Sequence, residues 1–255
     1  MLEIVKTADG SNTIYNPQVG ENYHSKHGAV AESRHVFLNS GLVYFLDAQA
    51  SSKSPPLDGG ETLAATAVSF KVSPTGGDLE GARVSILEVG FGTGLNFLLS
   101  ADFCTDKGIT LDYTGIEAYP LSLEMISQTG YHQYVSEELW RQFIINYGTN
   151  LLLPVKLLPC CQLQIANCKL SDFQSEKQYD IIYFDAFAAN YQPEMWDETA
   201  ISHTVHFLKP GGVFVTYAIT GNLKRSLKAL GCNIEKAPGA PGKREMLRAV
   251  KMITD

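Results

Sequence analysis

The stretch Val84-Ser-Ile-Leu-Glu-Val-Gly-Phe-Gly-Thr-Gly94 decides the fold. Its first half is a short apolar, β-branched run that predicts a buried strand. The glycines predict a tight turn, and Leu95 to Phe103 predicts the helix that leaves it. Glycines at such a junction let a ligand approach the backbone closely. The dinucleotide fingerprint G-x-G-x-x-G would need glycine at position 95, where Leu95 stands. An acid followed by G-x-G-x-G (Glu88, Gly90, Gly92, Gly94) instead suits a nucleoside carrying an amino acid. Glu88 is then poised toward the ammonium end of that ligand, directly or through water. A glycine-rich turn with no ligand is the plainer alternative, and the coincidence of acid, strand and helix speaks against it.

Outward from this turn, strands and helices alternate. Strands are expected at Leu111–Ile116, Leu163–Ala166, Tyr179–Phe184 and Val213–Tyr217, the last after a turn at Lys209-Pro-Gly-Gly212. Helical material is expected from Leu121 to about Asn146, from Pro193 through Phe207, and from Asn222 to Leu230. Near-continuous apolar strands separated by helices imply a mostly parallel, doubly wound sheet. No helix separates Asn233–Lys236 from Glu245–Val250, so these close the sheet as an antiparallel hairpin. Residues 1–82 are expected to be an N-terminal extension packed on the main domain, residues 83–255. They begin with a short strand, a loop and an amphipathic segment, Ala29 to Leu38. The Ser-, Pro- and Gly-rich stretch 47–82 is read as loop, with a short helix at Leu63–Val68.

Bulk properties fit a cytoplasmic globular protein. The chain has 255 residues, 45% apolar and 18% charged, and a net charge of −7. It shows neither a signal peptide nor an apolar run of the roughly 20 residues that cross a bilayer. The five cysteines form no C-x-x-C pair and read as reduced thiols. His24 and His27 have no second ligand pair nearby, so no metal is expected. The acidity argues against nucleic acid, but between Lys209 and Lys251 nine Lys or Arg face only two acids, Glu235 and Glu245. A local basic face survives there.

Three further acids fall where an α/β sheet binds ligands. Glu117 ends the second strand, 23 residues after Gly94, where a carboxylate can accept from both ribose hydroxyls. After the third strand, Asn167 and Asp172 both stand where an adenine amino group would be met, and Asp172 is preferred. After the fourth strand comes Phe184-Asp-Ala-Phe187. An aspartate here can orient an attacking amine, help remove its proton and stabilise the charge developing on nitrogen. Phe187 can exclude water or stack on a base. A helix-capping role is the structural alternative for Asp185.

These motifs resemble one family closely. Asp185-Ala-Phe-Ala-Ala-Asn-Tyr-Gln-Pro-Glu-Met-Trp196, Lys209-Pro-Gly-Gly212 and Gly242-Lys-Arg-Glu-Met-Leu-Arg248 look like the methyltransferase portion of the tRNA 5-methylaminomethyl-2-thiouridine biosynthesis bifunctional proteins (MnmC type). Tyr23-His-Ser-Lys-His-Gly-Ala-Val-Ala-Glu-Ser-Arg-His-Val-Phe37 and Glu88–Phe97 match its N-terminal and glycine-rich segments. The glycine-rich motif is shared with many methyltransferases, whereas the other strings are more specific. The resemblance runs from about Tyr15 to Lys251. It implies a class I, Rossmann-like, S-adenosylmethionine-dependent methyltransferase with a seven-stranded sheet. The implied reaction methylates the primary amine of 5-aminomethyl-(2-thio)uridine at the tRNA wobble position. Carried over, the cofactor residues are Glu88, Gly90, Phe91, Gly92, Gly94, Asn96 and Glu117, joined by Asp172, and the catalytic residue is Asp185. Phe187, Glu32, Lys243 and Arg244 fall to the substrate, with Lys243 and Arg244 facing phosphates of the anticodon stem-loop. The family's flavin-dependent oxidase half is not expected within this chain. A transferase acting on a free small amine would want extra carboxylates beside Asp185, where Ala, Phe, Ala, Ala and Asn stand. A degenerate binding module would not need the full acid set.

Overall fold

In the fourth expected strand, residues alternate between two hydrophobic cores, as the twofold period of a strand requires. Ile181 and Tyr183 join one core, and Ile182 and Phe184 the other. A sheet buried on both faces needs helices on both, and that layering fixes the architecture. The computed structural model describes residues 1–53, 81–148 and 153–253. The helix expected at Leu63–Val68 lies outside the described residues.

The chain opens with a small antiparallel sheet of β1 (Glu3–Lys6), β2 (Asn12–Asn16) and β3 (Glu21–Asn22). A continuous helical segment follows: α1 (Ala29–Ser33), a π-helical stretch Arg34–Val43, and α2 (Tyr44–Lys53). Then come β4 (Arg83–Val89), α3 (Leu95–Asp106), β5 (Thr110–Ile116), α4 (Leu123–Ser127), α5 (Glu137–Tyr147), β6 (Val155–Leu158) and β7 (Cys161–Ala166). The last part is β8 (Tyr179–Phe184), α6 (Glu198–His206), β9 (Leu208–Thr216), α7 (Gly221–Ala229), β10 (Cys232–Pro238) and β11 (Glu245–Lys251).

The main sheet runs β10-β11-β9-β8-β4-β5-β7-β6. Strands β7, β5, β4, β8 and β9 are parallel neighbours, and β11 and β10 return antiparallel. This is the doubly wound sheet with a terminal hairpin expected from the sequence. It carries one more strand, β6, antiparallel to β7 at the edge.

Other departures are local. The helical material before Asn146 is broken at Gly130, which has a positive φ of 74°. Pro193–Trp196 forms a 3₁₀ turn, and Asp197 caps α6 by accepting from Ala200 N–H at 2.7 Å. The turn Lys209-Pro-Gly-Gly212 is absorbed into β9 as a register irregularity against β8.

One core packs Phe37 and Leu42 of the N-terminal helical segment and Phe97 and Phe143 of α3 and α5 on the sheet. The other packs Ile201, Val205, Leu223 and Leu227 of α6 and α7. Each such side chain taken from water stabilises the fold by about 1.5–3 kcal/mol. Among the described residues, no helix is long and apolar enough to cross a membrane.

Candidate active site

The strand order reverses around β4, which has β5 on one side and β8 on the other. At such a switch point the loops leaving the carboxyl ends part and open a crevice. The turn after β4 and the first residues after β8 form its floor. Gly90 has φ 86°, and a Cβ there would stand 2.6 Å from the Asp185 carbonyl oxygen. Only glycine therefore lets the two loops touch. The contact is tied by Asp185 N–H donating to the Val89 carbonyl at 2.9 Å. At Gly92 a Cβ would meet the Tyr23 ring at 2.9 Å, so the N-terminal segment closes over the glycine-rich turn.

Two cavities meet here. The larger, about 740 Å³, is lined by Gly90, Phe91, Gly92, Glu117, the 168–171 turn and the chain around Asn16–Val19. The smaller, about 220 Å³, is lined by residues 21–26, Glu32, Tyr217 and Lys243. Tyr23, His24, Asp185, Ala186 and Phe187 line both.

Asp185 is half-buried at this junction. Burial pushes its carboxyl up to about 8. The Glu32 carboxylate adds to the rise, while a hydrogen bond from Asn96 and the charge of Lys243 oppose it. One amide group, Asn96 Nδ2, donates to both Asp185 Oδ2 and Glu88 Oε1, each at 2.8 Å. Ser33 Oγ donates to Asn96 Oδ1 and fixes which way the amide faces. Glu88 also accepts from Tyr113 Oη at 2.8 Å. It is 0% exposed and touches neither cavity. Burial and then Asp185 raise its carboxyl well above the usual range. Its carboxylate therefore addresses Asn96 and Tyr113 rather than the cleft.

Glu117 lies on the cleft wall. Its oxygens accept from Gly92 N–H at 2.8 Å and Tyr119 N–H at 2.9 Å, which holds the carboxyl group on that wall. Burial raises its carboxyl, and the backbone N–H groups of Tyr119, Gly92 and Ala118 oppose this.

The other residues singled out from sequence divide. Phe91 sends its ring into the core beside Phe97 and Phe143. Gly94 starts α3 with φ 76°. Asp172 is exposed and accepts from Ser171 Oγ, and Asn167 is exposed as well. The wall in that region is Cys168–Ser171 instead.

Phe187 stands edge-on to Tyr23 at 5.0 Å. Glu32 accepts from Lys243 Nζ at 2.7 Å and Ser25 N–H at 2.8 Å. Lys243 also lies 3.9 Å above the Tyr217 ring. It thus turns inward beside Asp185, away from the surface position a phosphate contact calls for. Arg244 is exposed.

Sequence reasoning missed the residues that join the cavities from the N-terminal side. His24 is half-buried and bonded to Thr93 Oγ1 at 2.8 Å, and desolvation lowers its ring to about 4, keeping it neutral. Tyr23 and His24 open the matched segment Tyr23–Phe37, a signal that could have marked them. Among the described residues, no group of three or more His, Cys, Asp or Glu could hold a metal ion.

A family model described as S-adenosyl-L-methionine-dependent methyltransferase matches residues 133–252. The tRNA 5-methylaminomethyl-2-thiouridine biosynthesis bifunctional protein MnmC of Magnetococcus marinus is 26% identical over 96% of the chain, which covers 34% of that protein. Its namesake in Leptospira borgpetersenii is 33% identical over 64% of the chain and 26% of its own length. The chain thus spans about a third or less of these curated relatives. The crystal structure of MNMC2 from Aquifex aeolicus superposes with a TM-score of 0.69 at 18% identity, covering 100% of this chain and 72% of that one.

Fold, cleft and family model together define an S-adenosylmethionine-dependent methyltransferase of class I architecture. The cleft walled by the Gly90–Gly92 turn, with the Glu117 carboxyl beside it, suits that cofactor's nucleoside and amino-acid parts. Within the class, the chain is similar along most of its length to MnmC proteins.

Proposed function

We propose that this domain methylates the primary amine of 5-aminomethyl-(2-thio)uridine at the wobble position of tRNA, giving the 5-methylaminomethyl base. The observation that carries the reading is Asp185, a half-buried carboxyl group facing a nucleoside-sized cleft on one side and an acid-lined pocket on the other. The MnmC relatives supply the acceptor by their names, and the pocket chemistry agrees with an amine. When bound, S-adenosylmethionine supplies an electrophilic methyl carbon, which the amine takes with release of S-adenosylhomocysteine.

The backbone of Gly90 and Gly92 cradles the cofactor, and Glu117 accepts from its ribose hydroxyls. Glu88 acts through Asn96, which holds the Asp185 carboxylate in place. An amine arrives mostly as ammonium and must lose a proton before it can attack. With its carboxyl held near 8, Asp185 is basic enough to take that proton and then to orient the neutral nitrogen. Lys243, held by Glu32 and Tyr217, supplies the counter-charge that keeps part of the Asp185 population ionised. Phe187 and Tyr23 cover the reacting centre against water.

Residues 21–26 and Glu32 of the N-terminal extension build the acceptor side. Four of the nine cations of the 209–251 region are held by acids: Lys209 by Asp180, Lys236 by Glu245, Lys243 by Glu32 and Arg248 by Glu235. Phosphate contact therefore falls to exposed Arg244 and to Arg225 and Lys228 of α7.

The test is incubation of purified protein with S-adenosylmethionine and tRNA bearing aminomethyl-uridine, followed by nucleoside mass spectrometry. A gain of one methyl group on that base is expected. An unchanged base, with free small amines methylated instead, refutes the reading.

A further inference from the structure

Two acids of the acceptor-side cavity share one arrangement. Asp185 Oδ2 accepts from Asn96, and Glu21 Oε2 accepts from Ala188 N–H at 2.8 Å. Among the described residues, nothing donates to Asp185 Oδ1 or Glu21 Oε1, and neither oxygen is shielded from solvent. Glu32, the third acid, differs, because Lys243 and Ser25 N–H each hold one of its oxygens. Ala188 follows Asp185 by three residues, so the bond from its N–H ties Glu21 to the loop that carries Asp185. Burial, then Glu32 and to a lesser degree Glu21 raise the Asp185 carboxyl, so the charge at Glu21 reaches it. Asp185 lines both cavities, whereas Glu21 lines only the acceptor-side one, away from the cofactor cleft.

We infer that Glu21 is the second hydrogen-bond acceptor for the substrate amine and limits transfer to a single methyl group. This rests on the amine reading proposed above. A neutral primary amine has one lone pair and two N–H groups. In the transfer the lone pair forms the bond to the methyl carbon, and the electron pair of the breaking C–S bond leaves with sulfur. The lone pair must therefore point at the cofactor, and the two N–H groups point away from it and need acceptors. Asp185 Oδ1 and Glu21 Oε1 are two open acceptors on one cavity, and the loop between them is tied by Ala188. The product leaves as a methylammonium, and the proton taken by Asp185 passes to water.

A second transfer starts the same way, with a proton given up to Asp185, but the methylamine then keeps only one N–H. Its methyl group must face one of the two carboxyl groups. An apolar group pressed there strips water from the oxygen and returns no hydrogen bond. The pair of oxygens that holds the first amine thus rejects the second.

The experiment measures kcat/KM at pH 8 on two anticodon stem-loop RNAs, one carrying 5-aminomethyluridine and one 5-methylaminomethyluridine, with products read by nucleoside mass spectrometry. Wild-type protein is expected to prefer the primary amine by roughly ten- to a hundredfold, the scale of one hydrogen bond to a charged group. Glu21→Gln keeps a carbonyl for Ala188 N–H and turns its NH2 group to the cavity, a donor where an acceptor stood. It is expected to lose most of the preference, chiefly through slower transfer to the primary amine. Glu21→Ala also opens space for a methyl group, and is expected to lose the preference and to yield dimethylaminomethyl-uridine on long incubation. S-adenosylmethionine affinity should be unchanged in both variants, which verifies that they fold. Equal wild-type kcat/KM on the two RNAs overturns the inference while leaving the proposed function standing. A full preference that survives in either folded variant does the same. Absence of transfer to either RNA by wild-type protein overturns the proposed function, and this inference with it.

Discussion

Substitutions at Glu32 and Lys243 should move the pH dependence of turnover in opposite directions. Both side chains sit in the pocket beside Asp185, joined by a 2.7 Å ion pair. Glu32 raises the Asp185 carboxyl, after burial the largest cause, and Lys243 lowers it. With the carboxyl near 8, about a tenth of the folded protein carries Asp185 ionised at pH 7, since each unit of pH is a factor of ten. Glu32→Gln removes the repelling charge and also leaves Lys243 unpaired, and both effects favour ionisation. A fall of one unit, about 1.4 kcal/mol, brings the ionised share at pH 7 to about half, roughly fivefold more. Lys243→Met should do the reverse. A rise of one unit cuts that share about ninefold. The assay is transfer of labelled methyl groups to tRNA, with kcat/KM followed from about pH 6 to 9.5. The rising limb should shift down for Glu32→Gln and up for Lys243→Met, whatever happens to the absolute rates. Titration of the substrate amine itself would leave the limb in the same place in all three proteins. A limb that stays fixed, or that moves the same way in both variants, refutes the role given to Asp185.

Two further outcomes follow from the burial of the carboxylates. A carboxyl raised in the folded state binds a proton more tightly there than in the unfolded chain. Stability is therefore full below the ordinary carboxylate range and is lost as pH rises from about 4 through about 8. Asp185→Asn should accordingly melt at a higher temperature than wild type at pH 8 by differential scanning calorimetry while losing turnover, and a lower melting temperature would contradict the burial argument. Glu117→Ala should weaken S-adenosylmethionine at least tenfold by calorimetry, because two charge-assisted ribose contacts are removed, and unchanged affinity would reject that assignment.

Legibility from sequence followed the range of the forces involved. The strands β4, β5 and β8 and the glycine-rich turn were plain because apolar runs and glycines act over a few residues. Strand β6 was not, because its four residues pair along one edge only and alternate weakly. The π-helical stretch Arg34–Val43 was equally hidden, since its widened turns leave no period in the sequence. Within the site, the strand ends correctly marked where Glu117 and Asp185 would stand. Their partners were set by tertiary contacts. Lys243 meets a glutamate 211 residues earlier, and no local pattern announces that it turns inward. Glu88 was read as a ligand contact because of its place before the glycines. Its burial beneath Asn96 depends on Tyr113, which arrives from the neighbouring strand.

The donor cradle is written in the loops of the central sheet, whereas much of the acceptor pocket is written in Glu21–Lys26 and Glu32, before that sheet begins. Mutation in this short leading stretch can change what enters the pocket while sparing the glycine turn. The transfer chemistry and the choice of recipient are thereby free to evolve at different rates, and a lineage could acquire a new recipient by revising only this prologue.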